Sequence, residues 1–494
     1  MVTDDWKRRE ERFVERLDRA VWPYPSSPSR QLLEHAGYDA QDVRSLVATQ
    51  GLDATVAQLA RDGVYVSYEE YRGLVPARRG SATFEFEPAS FSDPNVVADF
   101  TVQSSGTRSG GVATGATFAD RPKHAAAHAF ERILFGVHDA PTAVWQPAFP
   151  GAAGFGVNVS LAITGNPPEH WWSQTPPLGR SVTPTKRAVN ATLPLLSFGT
   201  GARLSSPRHQ PTSDPDPVLA WCVDALERAG RAVLHGYASS LAAVATRAVE
   251  QGVRLDGLVM RMGNEPMTAA RRSIVEQAGV RPLNSYGFSP VGNGANSCPE
   301  CRDDEMHVRG FRMALTTRRR ERPDGVEVDA LLWTNLAPDA GQVWINVEND
   351  DYATLTVDDV PCPCIMGQLG MRQRLTGVRG ISKVVAGGVN VAGEVFEHLV
   401  DSVLPAQLGG GPTDFQFAEQ EVNGQPVVLL RVAPRLGPFD DDVVREAVRA
   451  GLWKSELGRM ALEVWSPTDA VRVERVDPVV ARSGKLMAFE PLRR

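Results

Sequence analysis

Several features are scarce or missing in this chain of 494 residues. Only five cysteines occur, too few for the disulfide framework of a small secreted protein. No run of about 18 apolar residues exists, so we expect no membrane span. The N-terminus is charged and lacks an apolar core, so we predict no targeting segment and a cytoplasmic protein. Excess positive charge is also missing, since the formal net charge is −7, and this disfavours a nucleic-acid partner.

The length predicts more than one domain, because a single hydrophobic core rarely grows past about 250–300 residues. Helical segments alternate with short β-rich runs through the middle of the chain, as in residues 232–251, an order typical of α/β layers. Past about residue 380 the pattern becomes a compact α+β mixture. We therefore predict an α/β fold with a large multi-layer N-terminal domain (1–380) and a small α+β C-terminal domain (381–494).

Three local patterns give predictions of their own. Residues 3–21 have apolar positions near one stripe, which predicts one amphipathic helix. Asp440 is placed as an N-cap for a second helix that runs to about Met460. The basic run Arg318–Arg322 lies between two glycines and is interpreted as a solvated turn.

The first chemical candidate is the small-residue loop that starts at Ser104, Ser105, Gly106 and Thr107 and ends near Gly111. Small residues let backbone N–H groups approach an anion closely, and the hydroxyls add donors. The Walker pattern is absent, because no Gly-Lys-Ser/Thr follows. Taken alone, the loop fits a phosphate cradle and a Ser/Gly-rich surface turn about equally well.

The loop resembles the Ser-Ser-Gly-Thr-Thr-Gly signature of the acyl-adenylate-forming (ANL) superfamily, and the wider chain is similar to its phenylacetate–CoA ligase-like branch. Further matching segments follow in the same order as in that branch. They are Gly263-Asn264-Glu265-Pro266, Ser285-Tyr286-Gly287-Phe288-Ser289, Asp351 within Asn349-Asp350-Asp351-Tyr352, Arg379, and Lys485 within Ser483-Gly484-Lys485. Each motif is degenerate by itself, whereas the ordered set is much more specific.

The resemblance implies a role for each segment. The 104–107 loop would hold the phosphates of ATP, and residues 263–266 and 285–289 would face the nucleotide, with Tyr286 stacked on adenine. Asp351 would accept hydrogen bonds from the ribose hydroxyls, Arg379 would lie beside the hinge, and Lys485 would stabilise the adenylation transition state. Mg²⁺ would accompany the ATP.

Two positions depart from the family pattern. Pro290 stands where the family has a glutamate that helps to hold Mg²⁺, and proline offers no side-chain ligand. Arg108 stands where threonine is more common, and its charge can pair with a phosphate. Either water and phosphate oxygens hold the Mg²⁺, or another carboxylate takes the place of the glutamate, or adenylation is impaired.

Four cysteines form two close pairs, Cys298/Cys301 and, 61 positions after Cys301, Cys362/Cys364. Two thiolate pairs can close a tetrahedral zinc shell, and soft thiolates favour Zn²⁺ over hard ions. Four thiolates leave no open position, which predicts a structural site. His307 is a substitute ligand if one cysteine points away, and free cysteines in turns are the alternative.

An acid pocket is expected near Phe149, Tyr237 and Ala238. The glycines that follow Phe149 place flexible backbone beside an aromatic wall, which suits a flat aryl acid, although a loop packed on a core has the same composition. The preference for an aryl over a fatty acid comes mostly from the resemblance.

Three functions remain open at this stage. The first is an ATP-dependent ligase that activates an aromatic carboxylic acid as acyl-AMP and transfers the acyl group to CoA. The second keeps adenylation but uses an amine, a hydroxyl or a carrier protein as acceptor. The third, supported by Pro290, is an inactive zinc-stabilised binding scaffold. The expected ligands are ATP, Mg²⁺, structural Zn²⁺, CoA and a small carboxylic acid, and a homodimer is compatible with all three functions.

Overall fold

We describe the protein from a computed structural model. The structure describes residues 2–103, 113–117, 121–149, 153–179, 182–197, 204–288, 292–322, 325–338, 340–381, 383–386, 389–453, 456–465, 471–479 and 488–490. Every structural statement below concerns these residues.

Helices and strands alternate along most of the chain. The α-helices are α1 Val2–Lys7, α2 Arg9–Ala20, α3 Pro28–His35, α4 Ala40–Gln50, α5 Leu52–Arg61, α6 Tyr68–Tyr71, α7 Arg121–Leu134, α8 Ala153–Ile163, α9 Pro184–Ser197, α10 Asp216–Ala229, α11 Ala238–Glu250, α12 Ala269–Gln277, α13 Ile365–Gln368, α14 Gly393–His398, α15 Leu404–Leu408, α16 Asp441–Leu452 and α17 Glu456–Trp465. The strands are β1 Ala77–Arg79, β2 Ala82–Phe84, β3 Phe100–Gln103, β4 Ala113–Ala116, β5 Thr142–Trp145, β6 His170–Ser173, β7 Pro207–His209, β8 Ala232–Tyr237, β9 Leu258–Gly263, β10 Arg281–Phe288, β11 Gly292–Asn296, β12 Met306–Val308, β13 Met313–Glu321, β14 Glu327–Asn335, β15 Val347–Val357, β16 Gln373–Gly380, β17 Lys383–Ala386, β18 Val389–Ala392, β19 Phe415–Val422, β20 Gln425–Val432, β21 Val471–Glu474 and β22 Phe489–Glu490.

A 12-stranded sheet dominates the structure, in the order β13-β14-β15-β16-β12-β11-β10-β9-β8-β5-β6-β7. The part from β10 to β7 is parallel, because helices connect its strands, and the part from β10 to β13 is antiparallel. Ligands of parallel α/β sheets bind at the carboxyl ends of the strands. Tyr237, Gly263 and Tyr286 lie at or near those ends on three neighbouring strands.

Different helices cover the two faces of the parallel part, because successive side chains of a strand point to opposite faces. Leu234 packs in a core shared with α10, α11 and α12, and its neighbour Val233 packs on the opposite side, against α7. Val144 of β5 meets α8 on that second side. The N-terminal helices pack on the antiparallel part. This arrangement confirms the predicted multi-layer α/β fold class.

Two helix predictions are wrong in length. The predicted helix over residues 3–21 is two helices, α1 and α2, on either side of Arg8. The helix predicted to run to Met460 ends at Leu452, and α17 begins at Glu456. Gly451 weakens the helix at this end, and its backbone packs tightly on the side chain of Leu399. The N-cap is confirmed, because the Asp440 side chain accepts a hydrogen bond from the backbone N–H of Asp442.

The basic run is also placed wrongly by the sequence pattern. It belongs to β13 rather than to a turn, and alternate residues of a strand share one face. Arg318 and Arg320 therefore both reach the carboxylate of Glu348, which is 1% exposed. A buried partner, rather than solvent, accounts for these charges.

The C-terminal residues have a core of their own. A four-stranded sheet in the order β21-β20-β19-β22 packs with α14 to α17, and the buried apolar side chains include Phe396, Phe417 and Trp465. The hairpin between β19 and β20 contacts the large sheet region, where Arg271 Nε donates to Gly424 O (2.8 Å). The boundary near residue 380 stays a prediction. Among the helices described, none combines the length and the hydropathy needed to cross a membrane.

Candidate active site and thiol cluster

Tyr286 and Asp351, both predicted to meet ATP, lie against each other. Tyr286 Oη donates to Asp351 Oδ2 at 2.6 Å, and Asn349 Nδ2 donates to the same two oxygens at 2.6 and 2.8 Å. Burial raises the pKa of Tyr286 well above its usual value, and the Asp351 carboxylate adds to the rise. The phenol therefore stays protonated. Phe288 shares the same face of β10 and packs on Trp333, with ring centroids 5.2 Å apart.

Gly263 and Ser285 are paired directly across β9 and β10. A Cβ at residue 263 would lie 3.1 Å from Ser285 O, so the strand ends approach each other closely. The next residue, Asn264, has φ +64°, a left-handed conformation that asparagine tolerates better than most residues. Gly287 is confined likewise, since a Cβ there would meet the Asn293 side chain at 2.6 Å. These motif residues thus lie where neighbouring strand ends and the backbone beside them approach each other closely.

Glu265 has a protein partner of its own. Its carboxylate accepts hydrogen bonds from the backbone N–H of Ser239 (2.6 Å) and from Ser239 Oγ (3.0 Å), at the start of α11. A carboxylate is stabilised at a helix N-terminus by the unpaired N–H groups and the helix dipole. Pro266 O accepts from Arg271, whose Nη1 also lies 3.6 Å from Glu265 Oε2. Glu265 therefore anchors α11 beside the predicted acid pocket.

Arg379 lies next to Asp351 in the sheet. It pairs with Tyr352 across β15 and β16, one residue from Asp351. Its Nη1 donates to Val378 O at 2.7 Å and is 3.9 Å from Asp304 Oδ2. Arg379 therefore lies on the strand beside Asp351, with its guanidinium group toward Val378 O and Asp304.

The predicted acid-pocket residues also reach a common edge. Tyr237 and Ala238, 3% and 1% exposed, stand where β8 passes into α11. Phe149 follows the neighbouring strand β5 and packs on Phe155, with ring centroids 5.2 Å apart. Burial raises the pKa of the Tyr237 phenol, which therefore stays neutral.

Several predicted site residues lie outside the described part of the chain. They are Ser104, Ser105, Gly106, Thr107, Arg108, Ser289, Pro290 and Lys485. The strands on either side of the first group, β3 and β4, pair antiparallel, and Gln103 pairs with Ala113.

Four potential metal ligands converge near the other end of the same strands. The ligand atoms of Cys298, His307, Cys362 and Cys364 all lie within 4.8 Å of one another. Cys298 Sγ is 3.8 Å from Cys362 Sγ, and His307 Nε2 is 3.7 and 3.5 Å from Cys298 Sγ and Cys364 Sγ. A tetrahedral zinc with bonds of about 2.3 Å to sulfur and 2.0 Å to nitrogen places such atoms roughly 3.5–3.8 Å apart. The spacing fits a zinc ion.

His307 and Cys301 exchange the roles expected from the sequence. His307 Nδ1 is 3.2 Å from Met371 O, an outer contact that fixes the ring with Nε2 toward the thiols. Cys301 Sγ is 3.5 Å from Cys298 Sγ but accepts a hydrogen bond from Arg374 Nη1 at 3.3 Å. The converging donor set therefore holds three cysteines and a histidine, with Cys301 beside it.

A buried ionic cluster escaped the sequence analysis. Glu131 of α7 binds Arg261 of β9 at 2.7 Å and also Arg309. Burial alone would raise the pKa of Glu131, but these two guanidinium groups hold it well below its usual range. His128, one helical turn earlier, faces Glu131 at 3.5 Å, and the ring of His235 lies 6.2 Å from the His128 ring, centroid to centroid. One feature of the sequence could have indicated this cluster: His235 precedes Tyr237 by two residues, so both side chains lie on the same face of the strand.

Comparisons with known proteins support the fold. No family model matches the chain, and no curated protein matches it either. Among solved structures it is similar to 2-hydroxyisobutyryl-CoA ligase in complex with 2-HIB-AMP and CoA (TM-score 0.58, 17% identity, 98% of this chain and 89% of that chain). Weaker likenesses include a malonyl-CoA ligase (0.41, 13%, 77% and 71%) and an adenylation domain of a keto acid-selecting NRPS module (0.32, 11%, 82% and 69%). The chain has the fold of an acyl-CoA ligase over nearly its whole length.

Proposed function

We propose that the protein is an adenylating acid ligase, which uses ATP to convert a carboxylic acid into acyl-AMP and then passes the acyl group to the thiol of CoA. The contact between Tyr286 and Asp351 carries the proposal, because it joins two nucleotide motifs that lie 65 residues apart. The contact lies near the carboxyl end of β10, where α/β sheets bind ligands. The fold likeness to 2-hydroxyisobutyryl-CoA ligase adds support.

The residues divide the chemistry as follows. In the first step a carboxylate oxygen attacks the α-phosphorus, an O–P bond forms, and pyrophosphate leaves. Asp351 accepts from the ribose hydroxyls, Tyr286 holds the adenine, and Lys485 bridges the carboxylate and the α-phosphate. Orientation and neutralisation of the developing charge supply most of the rate. In the second step the thiol sulfur attacks the acyl carbon and AMP leaves. Mg²⁺, when bound with ATP, would neutralise part of the charge on the phosphates.

The decisive experiment is acid-dependent exchange between ATP and labelled pyrophosphate, with a panel of aryl and fatty acids. Exchange is expected with at least one acid, and Lys485→Ala should abolish it while transfer from supplied acyl-AMP persists. Lys7→Ala, on the exposed α1, is the matched control. Folded protein that shows no exchange with any acid would rule out adenylation.

An aromatic acid is the proposed substrate class. The adjacent rings of Phe149 and Phe155 and the buried Tyr237 support a flat apolar wall at the strand ends. Phe149→Ala should lower kcat/KM for aryl acids more than for short fatty acids. An equal loss for both would remove the aromatic preference.

CoA is the proposed acceptor, and an amine, a hydroxyl or a carrier protein is the alternative. The bound CoA of the similar ligase structure supports the thiol. Mass analysis of products from purified acyl-AMP, offered CoA or hydroxylamine in parallel, separates the two. Acyl-CoA formation at a rate no higher than its spontaneous reaction would favour the alternative.

We also propose that residues 381–494 turn against the large region after adenylation, so that the acceptor can enter. The docked contact is specific: Arg271, 2% exposed, donates to Gly424 O and lies 3.3 Å from Glu421 Oε2, and Gln425 Nε2 donates to Ser239 O at 3.0 Å. The tail thus touches α11 immediately beside Ala238.

Arg271→Ala should therefore slow thiol transfer and leave pyrophosphate exchange near the wild-type rate. Arg272→Ala is the matched control, because that neighbour binds Glu276 and Asp303 O instead of the tail. If Arg271→Ala slows adenylation and thiol transfer equally, Arg271 acts only by stabilising Glu265 and not through its contact with the C-terminal residues.

A structural zinc completes the proposal. The described cluster supplies three thiols and an imidazole at tetrahedral spacing, and a closed set of four ligands leaves no position for substrate. Elemental analysis of protein purified without chelator should give about one zinc per chain. Stable protein free of metal would contradict the assignment.

A further inference from the structure

Beneath Tyr237, on the same face of β8, lies the buried histidine His235. His235 precedes Tyr237 by two residues, so both side chains point into the layer that holds α7 and α8. It is 0% exposed, and neither of its ring nitrogens has a hydrogen-bond partner among the described residues. Burial lowers its pKa well below the usual value, so the ring is neutral and offers one donor and one acceptor.

Two amide oxygens occupy the same layer. Gln146 directly follows β5; Val144, two residues earlier on that face, pairs with His235 across the strands. Asn158 lies on the sheet-facing side of α8, one turn after Gly154, whose Cβ position would be 2.8 Å from Gln146 O. The two amides are 1% and 0% exposed, and neither Gln146 Oε1 nor Asn158 Oδ1 has a partner in the described part of the chain.

A neighbouring carboxylate and the Asn158 amide nitrogen already have partners. The Glu131 carboxylate is taken by Arg261 and Arg309, and Asn158 Nδ2 donates to Gly154 O at 2.8 Å. Buried polar atoms in proteins nearly always have a partner, and an unpaired group at a ligand site points to what the ligand brings. Among His235, Gln146 and Asn158, the atoms without a hydrogen bond in the described part of the chain are three acceptors and one donor, so a group that satisfies the acceptors must itself donate hydrogen bonds.

We propose that His235, Gln146 and Asn158 bind a hydroxyl or amino group at the end of the acid substrate farthest from its carboxylate. The inference rests on the proposed function and narrows its substrate class to acids with a polar distal group. Tyr237 and Phe149 flank the body of the acid, and the three polar side chains receive its tip. A site built to hydrogen-bond a hydroxyl rejects the analogue without it far more strongly than an apolar pocket discriminates by size.

Pyrophosphate exchange with matched acids tests the proposal. The wild type should use 3- or 4-hydroxybenzoate, or the corresponding aminobenzoate, with kcat/KM at least about tenfold above benzoate. His235→Leu and Asn158→Leu should remove that preference, bringing kcat/KM for the substituted acids down to the value for benzoate. His235→Gln should restore part of it. His170→Gln, on the neighbouring β6, is the control and should keep the wild-type preference.

Each alternative result has a meaning. The proposal is overturned if the wild type uses benzoate as well as the substituted acids. It is also overturned if the preference survives in both leucine variants. In either case the polar atoms would bind water instead of the substrate. If His235→Leu does not fold, Asn158→Leu decides. If no acid supports exchange, thermal melts with each acid separate the claims. If hydroxy acids raise the Tm of the wild type, and raise it less in His235→Gln, the polar pocket is supported and adenylation is rejected. If hydroxy acids do not raise the Tm, both proposals are overturned.

Discussion

Two antiparallel strand pairs, β10–β11 and β15–β16, carry a polar group at each of their ends. At one end Tyr286, Asp351 and Asn349 form a closed hydrogen-bonded group. Near the other end are the chain segments that hold Cys298 and the pair Cys362/Cys364. The same scaffold thus supports two centres of opposite character.

The two ends differ in how their polar atoms are satisfied. Oxygen and nitrogen atoms at the tyrosine end bind each other, so the protein's own side chains fix the geometry of this end. Soft donors at the thiol end stand at the spacing of a metal shell, and the proposed zinc would supply most of the cohesion there. The proposed nucleotide site and the proposed zinc site therefore share strands without sharing side chains. Variants at each end should separate activity from stability.

The largest effect is expected at the thiol end. Cys364→Ser should release the zinc and give the greatest fall in Tm, because a structural zinc contributes on the order of 10 kcal/mol in small domains. Zinc content and thermal melts measure both effects. Cys222→Ala is the control, since this thiol is also fully buried but lies on α10 within a different core. An unchanged Tm in Cys364→Ser would contradict the structural role of the thiol end.

Substitution of Cys301 tests which four residues bind the proposed zinc: three cysteines with His307, or all four cysteines. Its bond to Arg374 predicts that Cys301→Ser keeps about one zinc per chain, whereas His307→Ala loses it. The reverse result would restore the four-cysteine site expected from the sequence alone.

A smaller effect, confined to activity, is expected at the nucleotide end. Asp351→Asn keeps the shape and the contact with Tyr286 but removes the charge that strengthens bonds to ribose. Hydrogen bonds to charged groups contribute about 1.5–3 kcal/mol, so kcat/KM for ATP should fall by roughly 10–150-fold with little change in Tm. Asp329→Asn, on the neighbouring β14, is the control. A fall in Tm as large as that of Cys364→Ser would mean that this end is structural too.

Sequence patterns predicted these two centres unequally. The order of the motifs anticipated that Tyr286 and Asp351 belong together, and the cysteine spacing anticipated the cluster. Three sets of contacts were not predicted: Glu265 with Ser239, Arg318 with Glu348, and the ionic cluster around Glu131. Such contacts join strands and helices that are remote in the chain. Local patterns specify which face a residue occupies, but the partner on that face is set by the packing of the whole sheet.

The smallest effect tests whether the tyrosine end is held by its hydrogen bonds or by its rings. Tyr286→Phe keeps the packing on Trp333 and Phe288 but deletes the bond to Asp351. One neutral hydrogen bond contributes about 0.5–1.5 kcal/mol, so KM for ATP should rise roughly 2–10-fold and kcat should change little. Tyr352→Phe, which loses a bond from Arg322 beside the same site, should leave KM unchanged. A loss beyond about 100-fold in the Tyr286 variant would require the hydroxyl to touch the substrate itself, because positioning of Asp351 through one bond cannot account for it.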